Sequence, residues 1–479
     1  MERKSGVLMH ISSLFGEYSC GAFGQEAKEF VDFLCDCGFS YWQVLPFCMV
    51  DECNSPYKSY STFGGNPYFV DLNELHKQGL LTREELDAAR QQTPYSCEFV
   101  RLYHTRFDIL RKAAARADDA LRAKIGAFID SDPYLLSFCE FMSLKHANGE
   151  KPWYAWTVHE GDADTLFLWK FIQYMFFTQW AEIKKYANSR GIRIIGDIPI
   201  YVSLDSCDVY SAKALFCLRE DNMPSCVAGV PPDYFAEDGQ LWGNPLYNWD
   251  AMRQDGYRWW CDRLSHALNL FDGVRIDHFR GLESYWSVPG DSKTARSGKW
   301  VKGPGMELIE KLKAVAGDKL IIAEDLGDIT PEAAQLVKDS GFPGMRVFQF
   351  AFLGEDDNPH LPHNYIRDCV AYTGTHDNNT LLGYLWEMEG ENRKRMLDYC
   401  GHTDPDWTGG CTAVLRTMFR SAAGLVIFPI QDLLGFGSDT RLNIPGKADG
   451  NWQYRVTKAQ LDGIDKTRLR HWNTLYKRK

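Results

Sequence analysis

The chain of 479 residues carries 14 cysteines but no CxxC pair, and no Cys/His cluster has zinc-finger spacing. No zinc finger is therefore expected, and 479 residues of ordinary globular composition exclude a short disulfide-stapled scaffold. No apolar stretch approaches the ~20 residues needed to span a bilayer. The N-terminal segment MERKSGVLMHISS has one short apolar run and no convincing cleavage site, so no signal peptide is expected. Positive charge is in deficit. Lys and Arg number 53 against 64 Asp and Glu, a net charge of −11. Such a chain repels phosphate backbones and anionic lipid, which argues against nucleic acid or a membrane as partner. Internal repeats and low-complexity tracts are absent, so a solenoid is excluded. The expectation is a cytoplasmic protein with reduced thiols.

What the chain has in plenty is aromatic side chains: 28 Phe, 23 Tyr and 15 Trp. Aromatic faces fill cores, and they also stack on the C–H faces of sugars. Apolar residues at 45% and charged residues at 24% are ordinary for a globular protein.

Short, β-branched apolar runs recur along the chain, separated by helical patterns. They are Gly6–Ile11, Tyr41–Pro46, Ile192–Val202, Phe271–Phe279, Leu320–Gly327, Met345–Phe352, Cys369–Asp377 and Gly424–Leu434. Near-continuous apolar runs suit strands buried on both faces, as in a parallel sheet. Between them, Ala27, Phe30, Val31 and Leu34 have helical spacing, and Gly38 can end that helix. MELIEKLKAVAG from Met306 is amphipathic and also ends in Gly. TPEAAQLVKDSG opens on Thr330 as cap, has Pro in the first turn, and stops at Gly341. Eight strands alternating with helices predict an α/β fold, a (β/α)8 TIM barrel. A doubly wound sheet is the alternative, but no GxGxxG follows any strand.

A barrel needs ~250 residues, so the remainder must be insertions on its C-terminal face. Residues 1–70 and 165–479 are assigned to the barrel. Residues 71–164, rich in Glu, Lys, Ala and Leu, read as a helical insertion between the second and third strands. Residues 203–250, dense in Pro, Gly, Asn and aromatics, read as an irregular active-site loop subdomain between the third and fourth.

Three strand ends carry acids where a barrel enzyme places its chemistry. In GVRIDHFRG, Arg275 and Asp277 are two apart on one strand and share a face. The guanidinium keeps the carboxylate ionised, as a nucleophile requires. In LIIAEDLG, Glu324 follows three apolar residues and a small Ala, so desolvation should raise its pKa and let it act as an acid near neutrality. In AYTGTHDNN, His376 and Asp377 end the seventh strand and can bind hydroxyls. Any one of these is ordinary as an ion-pair partner or helix cap. Together they form a catalytic set, and one ionised with one protonated carboxyl is the requirement for retaining glycoside chemistry.

These segments resemble the amylomaltases, the 4-α-glucanotransferases also called disproportionating enzymes, of the α-amylase clan. The resemblance runs through SPYKSYSTFGGNPYFVDL, VAGVPPDYFAEDGQLWGNPLYNW, GVRIDHFRGLESYW, AEDLG, GFPGMRVFQFAF, YTGTHDNNT and RLNIPG, covering nearly the whole chain. It implies Asp277 as nucleophile, Glu324 as general acid/base and Asp377 as transition-state stabiliser. It places Arg275 beside the nucleophile and His376 on a sugar hydroxyl. It further implies sugar contacts from Ser55, Tyr57, Asp233, Gln240, Trp242, Phe350 and Asn443, with Tyr57 and Trp242 as stacking platforms. Asp197, on the third strand, matches the clan's first motif only in part. Starch hydrolases have Asn-His shortly after that Asp, whereas Ile198, Pro199, Ile200, Tyr201 and Val202 follow here. That departure counts against an ordinary α-amylase and removes part of its calcium site, so no metal and no cofactor are expected. Glu355, Asp356 and Asp357 lack a calcium-loop pattern and read as a solvated turn. The implied substrates are maltodextrins and α-1,4-glucans derived from starch or glycogen. The implied mechanism is double displacement, with the two carboxyls about 5–5.5 Å apart. A retaining α-glucan hydrolase on the same barrel and a non-catalytic glucan-binding protein are the rival functions.

Overall fold

The computed structural model describes every residue except 52, 233–236, 354–356, 405 and 448. Twelve strands are present among the described residues, in chain order β1 (Lys4–Leu8), β2 (Tyr41–Gln43), β3 (Arg193–Ile198), β4 (Cys226–Val230), β5 (Gln240–Pro245), β6 (Gly273–Ile276), β7 (Ser284–Pro289), β8 (Lys299–Lys302), β9 (Leu320–Ala323), β10 (Gly344–Val347), β11 (Cys369–Tyr372) and β12 (Leu425–Pro429). Eight of them close a parallel barrel in the order β1-β12-β11-β10-β9-β6-β3-β2. Each of the eight apolar runs supplies one barrel strand. Most strands stop short of the end of their run, because the chain there leaves the ladder to form the rim at the C-terminal end of the barrel.

The barrel interior is filled rather than hollow. Leu8, Leu45, Ile195, Ile322, Met345, Val370, Tyr372, Leu425 and Ile427 form one buried cluster inside it. Its polar member is satisfied, the Tyr372 hydroxyl donating to Gln43 Oε1 at 2.8 Å. Helices cover the outside. The helix predicted after the first strand spans Gln25–Cys37, with Gly38 left-handed at its end. The two others read from the sequence span Met306–Ala316 and Pro331–Ser340, the latter capped by the Thr330 side chain and ended by left-handed Gly341. Between β10 and β11 the described residues form only two short 3-10 turns, Phe348–Phe350 and Pro362–Asn364, so the alternation is broken there. Near the C-terminus, the helix Lys466–Leu475 packs on Gln25–Cys37, and the Asn473 amide donates to the Cys37 carbonyl at 2.9 Å.

Residues 71–164 contain helices Leu72–Lys77, Arg83–Ala88, Phe99–Ala115, Asp119–Asp130 and Pro133–Ala147. The aromatic helix that returns the chain to the barrel runs from Ala163 to Ser189. The segment 203–250 is not irregular throughout, as the sequence suggested. It carries β4 and β5, which join β7 and β8 in a four-stranded antiparallel sheet ordered β5-β4-β7-β8. Half of that sheet thus comes from residues after β6. The strands escaped notice because they are short and exposed: QLWGNP and KWVK lack apolar alternation.

Gly196 shows how tightly the rim is held. A Cβ at that position would lie 2.1 Å from the Phe271 ring. Gly196→Ala is therefore expected to cost about 1–3 kcal/mol through overpacking. A thermal melt would check this, and because Asp197 is the next residue, activity should fall with stability.

Candidate active site

The site forms where the C-terminal ends of β3, β6, β9 and β11 converge. β6 and β9 are parallel neighbours with Ile276 opposite Ala323. Asp277 and Glu324 are the next residues on each, so they leave adjacent strand ends in step, about 4.8 Å apart along the hydrogen-bonding direction. The backbone pins both. Asp277 N–H donates to the Ile198 carbonyl at 2.9 Å, and Glu324 N–H to the Ile276 carbonyl at 3.1 Å.

The two carboxyls receive opposite electrostatic treatment. Arg275, two residues before Asp277, ion-pairs with it, as their shared face requires. The same guanidinium ion-pairs with Asp197, directly across the β3–β6 register. Asp277 is partly open, its side chain 29% accessible, whereas Glu324 is 8% exposed. Burial pushes the Glu324 carboxyl up, and the charge of Asp277 adds to the push. Arg275 and two backbone donors oppose it, and the net result is about 7. Those donors are His278 N–H to Oε2 at 2.6 Å and Leu326 N–H to Oε1 at 2.8 Å. They fix the carboxyl's orientation without drawing its proton off near neutrality.

Asp377 lies five residues beyond the end of β11, in the turn after Tyr372 rather than on the strand. Burial would raise its carboxyl, but the charge and hydrogen bond of His376, with a hydrogen bond from Asn443, hold it down at about 2. His376 Nε2 lies 3.2 Å from Asp377 Oδ2, and Asn443 Nδ2 donates to Oδ1 at 2.6 Å. His376 is buried, which would lower its pKa, yet its contacts with Asp377 raise it above the ordinary value.

A continuous polar chain joins the ends of β11, β3 and β6. From Asp377 it passes to His376, then to the Tyr57 hydroxyl 3.4 Å from His376 Nδ1. Tyr57 Oη donates to Asp197 Oδ2 at 2.6 Å, and Asp197 reaches Asp277 through Arg275. Burial raises the Asp197 carboxyl to about 6 against the pull of Arg275. The Tyr57 ring stacks on His376 at 4.8 Å, so protein takes one of its faces. Ser55 supports the same turn, its Oγ accepting from Tyr57 N–H at 3.3 Å.

The remaining residues implied by the resemblance fall in three groups. Gln240 and Trp242 share a face of β5, and the indole Nε1 donates to Gln240 Oε1 at 3.2 Å. Trp242 meets the His278 ring edge-on at 4.9 Å, which brings β5 beside the residue that follows Asp277. Phe350 is half-buried in the turn after β10, against His360 at 5.5 Å. Asp233, Glu355 and Asp356 lie outside the described residues.

Three contributors were missed. His278 has φ 51°, a left-handed conformation uncommon outside glycine, and it aims its N–H at Glu324. Arg441 donates from Nη2 to the Asp377 carbonyl at 2.5 Å and from Nε to the Asn443 carbonyl at 2.7 Å. Trp452 is buried beside Tyr57 and His376, at 6.0 and 5.8 Å. His278 and Arg441 stand inside GVRIDHFRG and RLNIPG, where their neighbours drew the attention. Trp452 carries no sequence signal.

A family model described as 4-alpha-glucanotransferase matches residues 9–461. A 4-alpha-glucanotransferase of Streptococcus pneumoniae is 42% identical, covering 100% of this chain and 98% of its own. One from Clostridium butyricum is 41% identical over 94% of this chain and 95% of its own. Among solved structures, an amylomaltase from Streptococcus agalactiae in complex with acarbose superposes with a TM-score of 0.95 at 36% identity, with both chains covered in full.

Proposed function

Since the chain belongs to the 4-alpha-glucanotransferase family, we propose that it moves α-1,4-glucan segments by a double displacement in which Asp277 is the nucleophile and Glu324 the acid and then the base. The protein is an amylomaltase-type enzyme acting on α-glucans. The residue roles rest on one observation: adjacent strand ends present a carboxylate paired with Arg275 beside a carboxyl whose burial holds its proton near neutrality.

Glu324 gives its proton to the glycosidic oxygen while Asp277 attacks the anomeric carbon, and a covalent β-glucosyl ester forms. The 4-hydroxyl of an acceptor glucan, or of glucose, then loses its proton to Glu324 and attacks the same carbon. Two inversions leave the new bond α. Asp377, ionised by His376 and Asn443, binds ring hydroxyls and tightens its hold as the ring flattens toward the transition state. Its contacts on both sides, including Arg441 through the backbone, keep it in place before substrate arrives.

Transfer must outrun hydrolysis although water stands at ~55 M. That requires an acceptor held in attacking geometry, worth a large effective molarity, and little water near the ester. The sheet bearing Gln240 and Trp242, with the Tyr57 segment opposite, forms that cover in this reading. Maltodextrins from starch or glycogen are the substrates in this reading, with Tyr57, Trp242 and Phe350 against sugar faces. None of the 14 cysteines is in a disulfide, which favours the cytoplasm as the working compartment. Incubation with maltotriose is the test. Glucose plus a ladder of longer maltodextrins is expected, whereas products no longer than maltotriose would mean a hydrolase.

A further inference from the structure

His376 and Asp377 stand in the turn between β11 and the helix Leu381–Glu387, where no strand ladder holds them. Asn378 folds the middle of that turn, its Oδ1 accepting from the Thr375 N–H and from the Thr375 hydroxyl, both at 2.9 Å. Gln349 ties the turn to the neighbouring rim, donating to the Asn379 carbonyl at 2.7 Å. Both ends of the turn meet one side chain. Thr373, the first residue past β11, donates from its hydroxyl to Asp432 Oδ2 at 2.5 Å, and Leu381 N–H donates to Asp432 Oδ1 at 2.7 Å. Asp432 reaches both because of where the chain puts it. β12 is the parallel neighbour of β11, with Ile427 opposite Tyr372, and the helix Ile430–Leu434 starts directly after β12.

Thr373 and Asp432 are both buried. Leu381 is the first residue of its helix, where the backbone N–H has no partner inside the helix. The Thr380 side chain caps Gly383, so Leu381 depends on the Asp432 carboxyl. Burial pushes that carboxyl up to about 6. The two hydrogen bonds oppose the rise and, among the described residues, no cation does. A buried carboxyl without a cation is costly. The fold keeps one at the single point from which both ends of the turn can be held. We propose that Asp432 is a positioning residue, which clamps the two ends of the turn 373–381 so that Asp377 meets the ring hydroxyls in the geometry of the transition state. This rests on the role given to Asp377 above. The clamp serves the transition state more than the bound substrate, because the hold of Asp377 tightens as the ring flattens.

Maltotriose disproportionation and thermal melts of the full chain carry the test. Asp432→Ala leaves the Leu381 N–H and the Thr373 hydroxyl without their acceptor. Its kcat should fall about 10²-fold, the scale of a 1 Å misplacement, with KM changed by less than about twofold. Asp432→Asn should recover most of that loss, because an amide can accept from Leu381 N–H and donate to the Thr373 oxygen. Thr373→Val frees one end only and should cost about tenfold. A smaller folded fraction would also lower kcat, so the losses are read in a double-mutant cycle with Asp377→Asn. The donor there is an α-glucosyl fluoride, whose good leaving group keeps residual rates measurable. With Asp377 already disabled, the Asp432→Ala loss should shrink to less than about threefold. An equal loss in both backgrounds would mean general destabilisation and would overturn the proposal, as would a parent-like kcat in Asp432→Ala. If Asp432→Ala does not fold, Thr373→Val enters the same cycle and is judged by the same two outcomes. Parent-like activity in Asp377→Asn alone would instead overturn the role of Asp377, a failure distinct from equal losses in the cycle.

Discussion

Asp277→Ala is expected to lower maltotriose disproportionation by about four orders of magnitude or more, the scale seen when a nucleophile is removed from a site that works as a unit. In the proposed mechanism the substitution takes away the atom that bonds to the anomeric carbon, and it leaves the acid intact. It also leaves Arg275 with Asp197 as its remaining partner, so the buried guanidinium is not stranded and the barrel should stay folded. Azide supplied in solution then has room where the carboxylate stood. It attacks an α-linked donor once, from the nucleophile's side, while Glu324 protonates the leaving sugar. The product should be a β-glucosyl azide. Unchanged disproportionation in this variant, with circular dichroism like the parent's, would remove Asp277 from the mechanism.

The parts of this arrangement that the sequence revealed have a common cause. Parallel barrel strands are buried on both faces, so β9, β11 and β12 read as unbroken apolar runs. A charged residue directly after such a run is conspicuous, which is why Glu324 stood out. The Arg275–Asp277 pairing followed from a two-residue spacing, the shortest-range rule available. What stayed hidden depends on contacts between distant parts of the chain. Tyr57 and Asp197 are 140 residues apart, and Asn443 and Asp377 are 66 apart. No local pattern encodes those bonds, and only the resemblance brought Tyr57 and Asn443 into view. The sheet β5-β4-β7-β8 was hidden for another reason. Its outer strands face solvent, so Gln240, Trp242 and Trp300 sit where periodicity carries no information about burial. Trp452 packs inside the cleft wall on a positive φ of 65°, a conformation that an aromatic residue's sequence context does not announce.

Glu324→Gln should produce a different failure from Asp277→Ala, and the difference identifies the acid. The amide cannot protonate a leaving sugar or deprotonate an acceptor, so transfer from maltotriose should fall by about 10²- to 10⁴-fold. One of the two backbone donors, His278 or Leu326, also loses its acceptor, at a cost of about 1–3 kcal/mol that a thermal melt would register. An α-glucosyl fluoride needs no proton to depart, so ester formation on Asp277 should largely survive with that donor. Azide needs no base, so it should then release the sugar. Two inversions have now occurred, and the product should be the α-glucosyl azide, the opposite anomer from the Asp277 variant. The pH dependence follows from the same group. In the proposed mechanism Glu324 must hold its proton to start the reaction, and burial pushes its carboxyl up to about 7. In the parent, kcat/KM for maltotriose should therefore fall about tenfold per pH unit above 7, whereas the Glu324→Gln reaction with glucosyl fluoride and azide should lack that limb. Stability shares the sign. A carboxyl raised from its ordinary value contributes most below that value, and the contribution is lost as pH rises through about 7. Asp377, held at about 2, contributes in the opposite direction, and its share is lost only in strong acid. An alkaline limb that persisted in the variant with glucosyl fluoride, or the same azide anomer from both variants, would take the acid/base role away from Glu324.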